Sequence, residues 1–306
     1  MRRPLFVLIL AGFCAANTAT AAEWRVPGDF ATIQAAIDSS SVVAGDVILV
    51  GPGPHAGAFV TKSVEIRGEG GAVINSGPLH DSGKMQGFRL KAGSQGTTIS
   101  RLTFEVGLAI INGAAVNNVT VVQNRFLNAY QAVSNWGGSG WDISHNDIVD
   151  LETACGGGIG ILIGDWQATL SGVLDNLVAH NKISGTLHVS DGDCGGYAGA
   201  GIVIYADFRW GAPGAVALAY NRVIKNKVSV VSDNPGLVDI NAFELTDTRP
   251  ELGVIFENAI GFNDFRGTAS QIDLSPPELA GVNLISRNFG NNRGHGLHPS
   301  VFRPDR

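Results

Sequence analysis

The sequence is poor in charge, and above all in positive charge, and this shortage excludes a class of partner. Only 16% of the 306 residues are charged, with 21 Lys and Arg against 27 Asp and Glu. If the amino-terminal segment containing Arg2 and Arg3 is removed, 19 basic residues face 27 acidic ones, a net charge of −8. A nucleic acid is therefore not expected as a partner, because phosphate backbones are bound by clustered basic residues.

The chain also lacks a hydrophobic run long enough to cross a membrane. The apolar stretch from Leu5 to Phe13 is shorter than the roughly 20 residues that a transmembrane helix needs. It follows two arginines and precedes Ala19-Thr20-Ala21, so residues 1–21 have the order of a secretory signal peptide. We expect a mature chain of residues 22–306 that is secreted, either extracellular or periplasmic, and has no transmembrane anchor.

Cysteine is scarce as well. Of three cysteines, only Cys155 and Cys194 follow the signal peptide. An even pair in an oxidising compartment favours one disulfide, and two separate buried thiols are the alternative. Each cysteine stands just before a glycine pair in a long excursion between apolar segments. A disulfide there would tie two loops together and stabilise them by about 2 to 4 kcal/mol.

What the sequence has in quantity is glycine and short apolar segments that carry a recurring asparagine. The segments read "VVQNRF", "DISHNDI", "VAHNKI", "LAYNRV", "IFENAI" and "LISRNF". Their asparagines are Asn124, Asn146, Asn181, Asn221, Asn258 and Asn288. A constant order of elements at uneven spacing is typical of a solenoid with loops of variable length.

A second apolar strand follows within most repeats. These strands read "GIGILIGD" at 158–165, "GAGIVIYAD" at 199–207, "NAFELTD" at 241–247 and "SQIDLSP" at 270–276. Their period of two predicts an inward set and an outward set. The inward set is Ile161, Ile163, Ile202, Ile204, Phe243, Leu245, Ile272 and Leu274, and the outward set is Leu162, Val203, Glu244 and Asp273. Strands without intervening helices exclude an alternating α/β fold.

The amino-terminal segment "VPGDFATIQAAI" predicts a short helix, capped by Asp29, that covers the open end of the stack. Ile33, Ala36 and Ile37 would share its buried face. Together with "GDVILVGPG", "KSVEIRGEG" and the recurring Asn-x-Ile and Gly-Ile-x-Ile coils, this segment resembles the right-handed parallel β-helix proteins of the pectate lyase-like superfamily.

The resemblance covers the whole mature chain and implies an all-β, right-handed parallel β-helix with a short amino-terminal capping helix. We expect one domain over 22–306, with a cap at 22–45, coils at 46–290 and a carboxyl-terminal cap or tail at 291–306. The resemblance further implies that the six recurring asparagines stack as one inward-facing ladder. We expect the protein to be a monomer.

Carboxylates on neighbouring coils provide the first candidate site. Glu244 and Asp273 occupy matching outward positions, and Asp165, Asp207 and Asp247 follow the same strands where the chain turns away. Stacked carboxylates must bind a cation, share a proton or pair with a base. The resemblance implies either calcium binding, as in related lyases, or an acid and base pair, as in related hydrolases.

We therefore assign Glu244, Asp247 and Asp273 as candidate catalytic residues, and Asp165 and Asp207 as candidate metal ligands, with calcium as the cofactor considered. The alternative is that these acids only keep the surface soluble or cap turns. Leu162 and Val203 fill the matching positions of the preceding coils, and no catalytic signature of related enzymes is present. Whether the protein is an enzyme therefore stays open.

Aromatic residues near the strand ends provide candidate sugar contacts. Trp166, Trp210 and Tyr205, together with Arg209, could stack on and hydrogen-bond to sugar rings. The alternative is that they pack loops onto the coils. His145 and His180 could stack on adjacent coils as metal ligands, but no third ligand is evident. The sequence thus favours a secreted protein that binds an extracellular polysaccharide; the alternative is a lyase or hydrolase acting on an acidic glycan.

Overall fold

The computed structural model describes residues 21–113, 115–153, 157–166, 172–190, 198–207 and 217–290, and for Trp166, Ala198 and Asp207 it describes only the backbone. Residues 1–20, which make up nearly all of the predicted signal peptide, lie outside this part. Within the described ranges no helix is both long and apolar enough to span a membrane.

The chain winds through four stacks of strands, which are numbered in chain order from β1 to β28. Stack 1 consists of β1 (Glu23–Val26), β2 (Val47–Val50), β5 (Glu65–Gly68), β8 (Thr98–Ser100), β11 (Thr120–Val122), β14 (Asp142–Ser144), β18 (Leu177–Ala179), β22 (Arg222–Ile224), β26 (Ala259–Gly261) and β28 (Leu284–Ser286). Stack 2 consists of β3 (Gly53–Ala56), β6 (Ala72–Ser76), β9 (Thr103–Phe104), β12 (Arg125–Ala129), β15 (Asp147–Thr153), β19 (Lys182–Val189) and β23 (Lys227–Ser232).

Two further stacks complete each turn of the chain. Stack 3 consists of β4 (Ala58–Val60), β7 (Gln86–Leu90), β10 (Leu108–Asn112), β13 (Gln131–Trp136), β16 (Gly157–Trp166), β20 (Ala198–Asp207), β24 (Asn241–Asp247) and β27 (Ser270–Ser275). Stack 4 is short and consists of β17 (Val173–Leu174), β21 (Leu218–Ala219) and β25 (Ile255–Phe256). Short 3₁₀ helices at Pro250–Leu252 and Pro277–Gly281 follow β24 and β27.

Each strand pairs in parallel with the strand that lies one coil later in the same stack. The pairing β14 to β18 to β22 in stack 1 and β16 to β20 to β24 in stack 3 shows this order. Stacks 2 and 3 join at an antiparallel contact between Thr153 and Gly157. The chain is thus nearly all β with parallel stacked sheets, and this topology fits a parallel β-helix.

The core fills the inside of the coils, as the period of two predicts. Among the predicted inward residues, Ile161, Ile202 and Phe243 are fully buried, and so are their strand neighbours Ile163, Ile204 and Leu245. Ile272 and Leu274 on β27 are partly buried against the same core. The inward assignment is therefore confirmed for these strands.

One α-helix, α1 (Ile33–Asp38), packs against β1, β2 and β4. Its buried face consists of Ile33, Ala36 and Ile37, as predicted. The predicted cap is wrong: the Thr32 hydroxyl, not Asp29, accepts a hydrogen bond from the Ala35 amide at 3.1 Å. Asp29 instead accepts from the backbone amide of Arg25 at 2.8 Å, so it closes the turn that precedes the helix.

The asparagines form two ladders, not the single row expected. Between stacks 1 and 2 the ladder is Asn124, Asn146, Asn181, Asn226, Asn263 and Asn288. Between stacks 4 and 1 it is Asn176, Asn221, Asn258 and Asn283, and Asn135 at the end of stack 3 donates to the first of them. In both ladders the side-chain oxygen of every later asparagine accepts a hydrogen bond from the side chain of the asparagine before it. The assignment of Asn221 and Asn258 to the first ladder is wrong, because the chain passes through both bends in one coil.

Candidate functional site

The outward side chains of stack 3 form two rows that run along the coil axis. One row, the carboxylate row, places Ser134, Leu162, Val203, Glu244 and Asp273 in register. The other, the aromatic row, places Trp136, Gly164, Tyr205, Thr246 and Ser275 in register. We call the surface that carries both rows the outer face of stack 3. Neighbouring positions within each row are about 4.8 Å apart, the usual strand spacing.

The middle of the outer face of stack 3 is apolar and closed to solvent. Leu162, Val203 and Tyr205 are at most 2% exposed and form, with Ile159 and Ala200, a cluster separate from the core. The prediction that Leu162 and Val203 point away from the core is confirmed. Tyr205, which was predicted as a sugar contact, has its ring buried in this cluster, and that role stays a prediction.

Trp136 borders this cluster and is held from two sides. Its backbone amide donates to the Asn112 side chain at 2.7 Å, and its carbonyl accepts from the same side chain at 2.6 Å. Its ring lies against Gly164 on the next coil, where an added Cβ would come within 2.9 Å of the ring. Trp136 is half-buried and so presents part of a fixed aromatic surface.

Trp136 was not among the residues predicted for the site. The signal that could have found it is Gly164, since a glycine inside an apolar strand marks a place where another group approaches closely. Without the strand register, however, the sequence does not say that the approaching group is Trp136.

Glu244 and Asp273 lie side by side at the other end of the same surface. They are directly in register on β24 and β27, as predicted, and both are half-buried. The Thr246 hydroxyl donates to Glu244 Oε1 at 2.6 Å. The pair therefore supplies carboxylate oxygens at an end of the outer face that is accessible to a ligand.

The strand-end aspartates do not join that pair. Asp165 and Asp247 are each in register with Ala206, so they lie two coils apart, about 10 Å between backbones. Asp207 pairs with Trp166 instead, one residue out of step. Asp165 is 1% and Asp247 5% exposed, so neither lies on the outer face. The assignments of Asp165 as a metal ligand and of Asp247 as a catalytic residue therefore remain predictions, at buried positions apart from the pair of Glu244 and Asp273.

Asp247 has a structural partner and an unusual environment. Its Oδ1 accepts a hydrogen bond from the Arg249 backbone amide at 2.8 Å, while its Oδ2 has no hydrogen-bond partner among the described residues. Burial raises the pKa of the Asp247 carboxyl. This arrangement is that of a turn cap at the end of β24 whose charge is poorly compensated.

No metal site is evident in the described ranges. They contain no group of three or more His, Cys, Asp or Glu side chains that could hold an ion. His145 and His180 do stack, with ring centroids 4.9 Å apart. Burial, followed by the nearby His145 and Lys225, lowers the pKa of His180.

Several predicted site residues lie where the structure gives no side-chain information. Arg209, Trp210, Cys155 and Cys194 fall outside the described residues, and only the backbone is described for Trp166 and Asp207. The sugar contacts predicted for Trp166, Trp210 and Arg209, the calcium ligand Asp207 and the disulfide therefore remain predictions.

Comparison with known proteins finds only distant structural similarity. No family model and no curated protein matches the sequence. Among solved structures, the mannuronan C-5 epimerase AlgE4 A-module of Azotobacter vinelandii aligns with 88% of this chain and 94% of its own at 12% identity. The TM-score is 0.29, a value too low to establish a shared fold.

Proposed function

We propose that this protein is a secreted, right-handed parallel β-helix of the pectate lyase-like superfamily that binds an extracellular polysaccharide at the two solvent-accessible ends of the outer face of stack 3. The observation that supports the proposal is the partly exposed ring of Trp136, which packs against Gly164 on the same surface as the in-register pair Glu244 and Asp273. Aromatic faces stack on sugar C–H groups, and a few well-placed polar groups fix the orientation of the ligand.

The dimensions of the surface suit a chain of sugars. From the coil of Trp136 to that of Asp273 there are four steps between strands, about 19 Å in all. One end offers an aromatic ring and the other offers carboxylates, which accept hydrogen bonds from hydroxyl groups. A paired carboxylate repels an acidic sugar, so the chain bound at this end would be neutral and rich in hydroxyls.

Binding to a panel of soluble neutral and acidic polysaccharides tests the proposal. We expect the wild-type protein to bind at least one neutral polysaccharide, and Trp136→Ala to weaken that binding about tenfold. Glu244→Gln combined with Asp273→Asn should also weaken it, while Asp81→Asn, an exposed carboxylate in the loop before β7, should not. Circular dichroism would check that each variant is folded.

Two results would overturn this proposal. The first is that the folded wild-type protein binds no polysaccharide in the panel. The second is that folded Trp136→Ala and the double carboxylate variant bind as tightly as the wild type does.

A second candidate function is glycoside hydrolysis, which the placement of Glu244 and Asp273 side by side on one surface favours. Their backbones lie about 4.8 Å apart, so the two side chains can reach the carboxyl separation of about 5 to 5.5 Å that retaining hydrolases use. Release of new reducing ends, abolished by Glu244→Gln, would establish this activity. Calcium-dependent ultraviolet absorbance of unsaturated uronates would instead identify a lyase.

A further inference from the structure

The bend between stacks 1 and 2 carries a row of exposed side chains that the proposed function does not use. On each coil, the residue just before the ladder position has a left-handed backbone, with φ between 56° and 59°. We call these residues the bend row: Arg101, Gln123, His145, His180, Lys225, Phe262 and Arg287. All are exposed except Phe262, which is half-buried.

Members of the bend row touch one another along the coil axis. Arg101 Nε donates to Gln123 Oε1 at 3.3 Å, His145 stacks on His180, and the Arg287 guanidinium lies 5.3 Å from the Phe262 ring centroid. The row spans six steps between coils, about 29 Å. It is therefore a strip one side chain wide, in which three pairs of neighbours touch.

The left-handed backbone of the bend does not explain why Arg and Lys occur at these positions. A left-handed conformation favours Gly, Asn and Asp, whose cost there is low, and His is enriched as well. Arg101, Lys225 and Arg287 have no such advantage at these positions. Their presence therefore points to a role for their charge.

The strand starts that follow the ladder add further positive charge. The residues that follow the ladder position by one are in register from coil to coil. They are Arg125, Asp147, Lys182, Lys227 and Asp264. The Asp147 carboxylate lies between two bases: its Oδ2 is 3.8 Å from Arg125 Nε, and its Oδ1 is 3.7 Å from Lys182 Nζ. Hydrogen bonds from Arg266 lower the pKa of Asp264 to about 2. Three bases in this row, Arg266 and the three bases of the bend row make seven basic side chains, against the two aspartates Asp147 and Asp264.

The other asparagine-lined bend has the opposite character. Between stacks 4 and 1, the left-handed positions before the ladder are Asp175, Tyr220 and Glu257. A hydrogen bond with Glu257 raises the pKa of Tyr220. The two bends share one backbone design but differ in charge, on a protein whose net charge is −6.

We propose that the bend row is a second binding surface, which holds a linear anionic polysaccharide along the coil axis. Arg101, Lys225 and Arg287, with the basic residues at the starts of the stack 2 strands, would pair with the acidic groups of the chain. Phe262 and the stacked imidazoles of His145 and His180 would lie against sugar rings. A single-file strip flanked by Asp147 and Asp264 suits a narrow chain better than a membrane or a nucleic acid duplex, which would meet more of the acidic surface.

Dextran sulfate and uncharged dextran of equal length provide matched probes for this surface. We expect the wild-type protein to bind dextran sulfate with an affinity that falls as salt rises. Lys225→Gln combined with Arg287→Gln should weaken this binding at least fivefold and flatten its salt dependence. The control, Lys84→Gln combined with Lys91→Gln, removes two charges beside stack 3 and should change the affinity less than twofold.

Three outcomes would overturn the inference. An equal loss in both double variants would mean that the general field of the protein, not the bend row, attracts the polymer. Tighter binding of single-stranded DNA than of dextran sulfate would identify a nucleic acid surface. A loss of dextran sulfate binding in Trp136→Ala would place the polymer on stack 3. Failure of neutral polysaccharides to bind there would leave this test unaffected, because its probes and variants differ.

Discussion

Asp247 shows how one residue can serve the fold at a cost that depends on pH. Its Oδ1 caps the turn after β24, but burial raises the pKa of its carboxyl. The folded protein therefore holds this proton more strongly than the unfolded chain does. This contribution favours folding below the unfolded pKa of about 3.9 and is lost as pH rises through the higher pKa of the folded state.

Asp247→Asn should remove the loss of stability that the ionisation of Asp247 causes as pH rises. Asparagine keeps an acceptor for the Arg249 amide and stays neutral at every pH. We expect the free energy of unfolding of the variant, relative to the wild type, to increase between pH 3 and pH 7. Urea unfolding at both pH values measures it, with Asp81→Asn as the exposed control. A difference that does not change with pH would show that the pKa of Asp247 is not raised.

At the residue scale, the sequence predicted the direction in which side chains point better than how much of each is exposed to solvent. Alternation placed Leu162 and Val203 on the outside because side chains on a strand point to opposite faces with period two. It could not predict that Tyr205 is 2% exposed, because burial on that side depends on what packs over the strand. Alternation does account for Asp247, because the parity of β24 directs it to the same side as the buried Phe243 and Leu245.

Among the elements, the asparagine ladders tie each coil to the next. Asn181 Oδ1 accepts from the backbone amide and the side chain of Asn146, at 3.1 and 2.9 Å. Its Nδ2 donates to the Ile143 carbonyl at 2.8 Å and to Asn226 Oδ1 at 3.0 Å. These partners are buried, so they have no water to replace a lost side chain.

Asn181→Ala should therefore destabilise the protein by at least about 2 kcal/mol, since each unsatisfied buried group costs about 1 to 3 kcal/mol. Asn234→Ala, at an exposed loop position, should change the free energy of unfolding by less than about 0.5 kcal/mol. Urea unfolding of both variants checks this. Equal stabilities would mean that neighbouring groups satisfy the ladder partners without Asn181.

The two ladders were visible in the sequence but not separable without the coil geometry. Three segments each carry two asparagines that are five residues apart: "YNRVIKN", "ENAIGFN" and "VNLISRN". A three-residue strand of stack 1 lies between them, so the two asparagines fall on opposite bends. Choosing one asparagine per repeat mixed the bends, because "AYN" and "AHN" look alike while belonging to different ladders.

For the whole molecule, the repeats predicted a solenoid because each coil can bury its apolar strand faces only against its neighbours. The core is accordingly continuous from Val26 to Ile285. The separation of charge between the two asparagine-lined bends was not predicted. It depends on residues that lie far apart in the sequence, such as Arg101 and Arg287, and come into one row only through the coil register.

A solenoid built in this way should lose its order from the ends. Within the described residues, β1 pairs only with β2 and β28 only with β26, whereas β14 and β18 each have a partner on both sides. Local opening costs least where neighbours are fewest. We expect amide hydrogen exchange, followed by mass spectrometry, to be slowest in β11, β14 and β18 and fastest in β28. Uniform protection along stack 1 would contradict this, because it would mean that all coils open together as one cooperative unit.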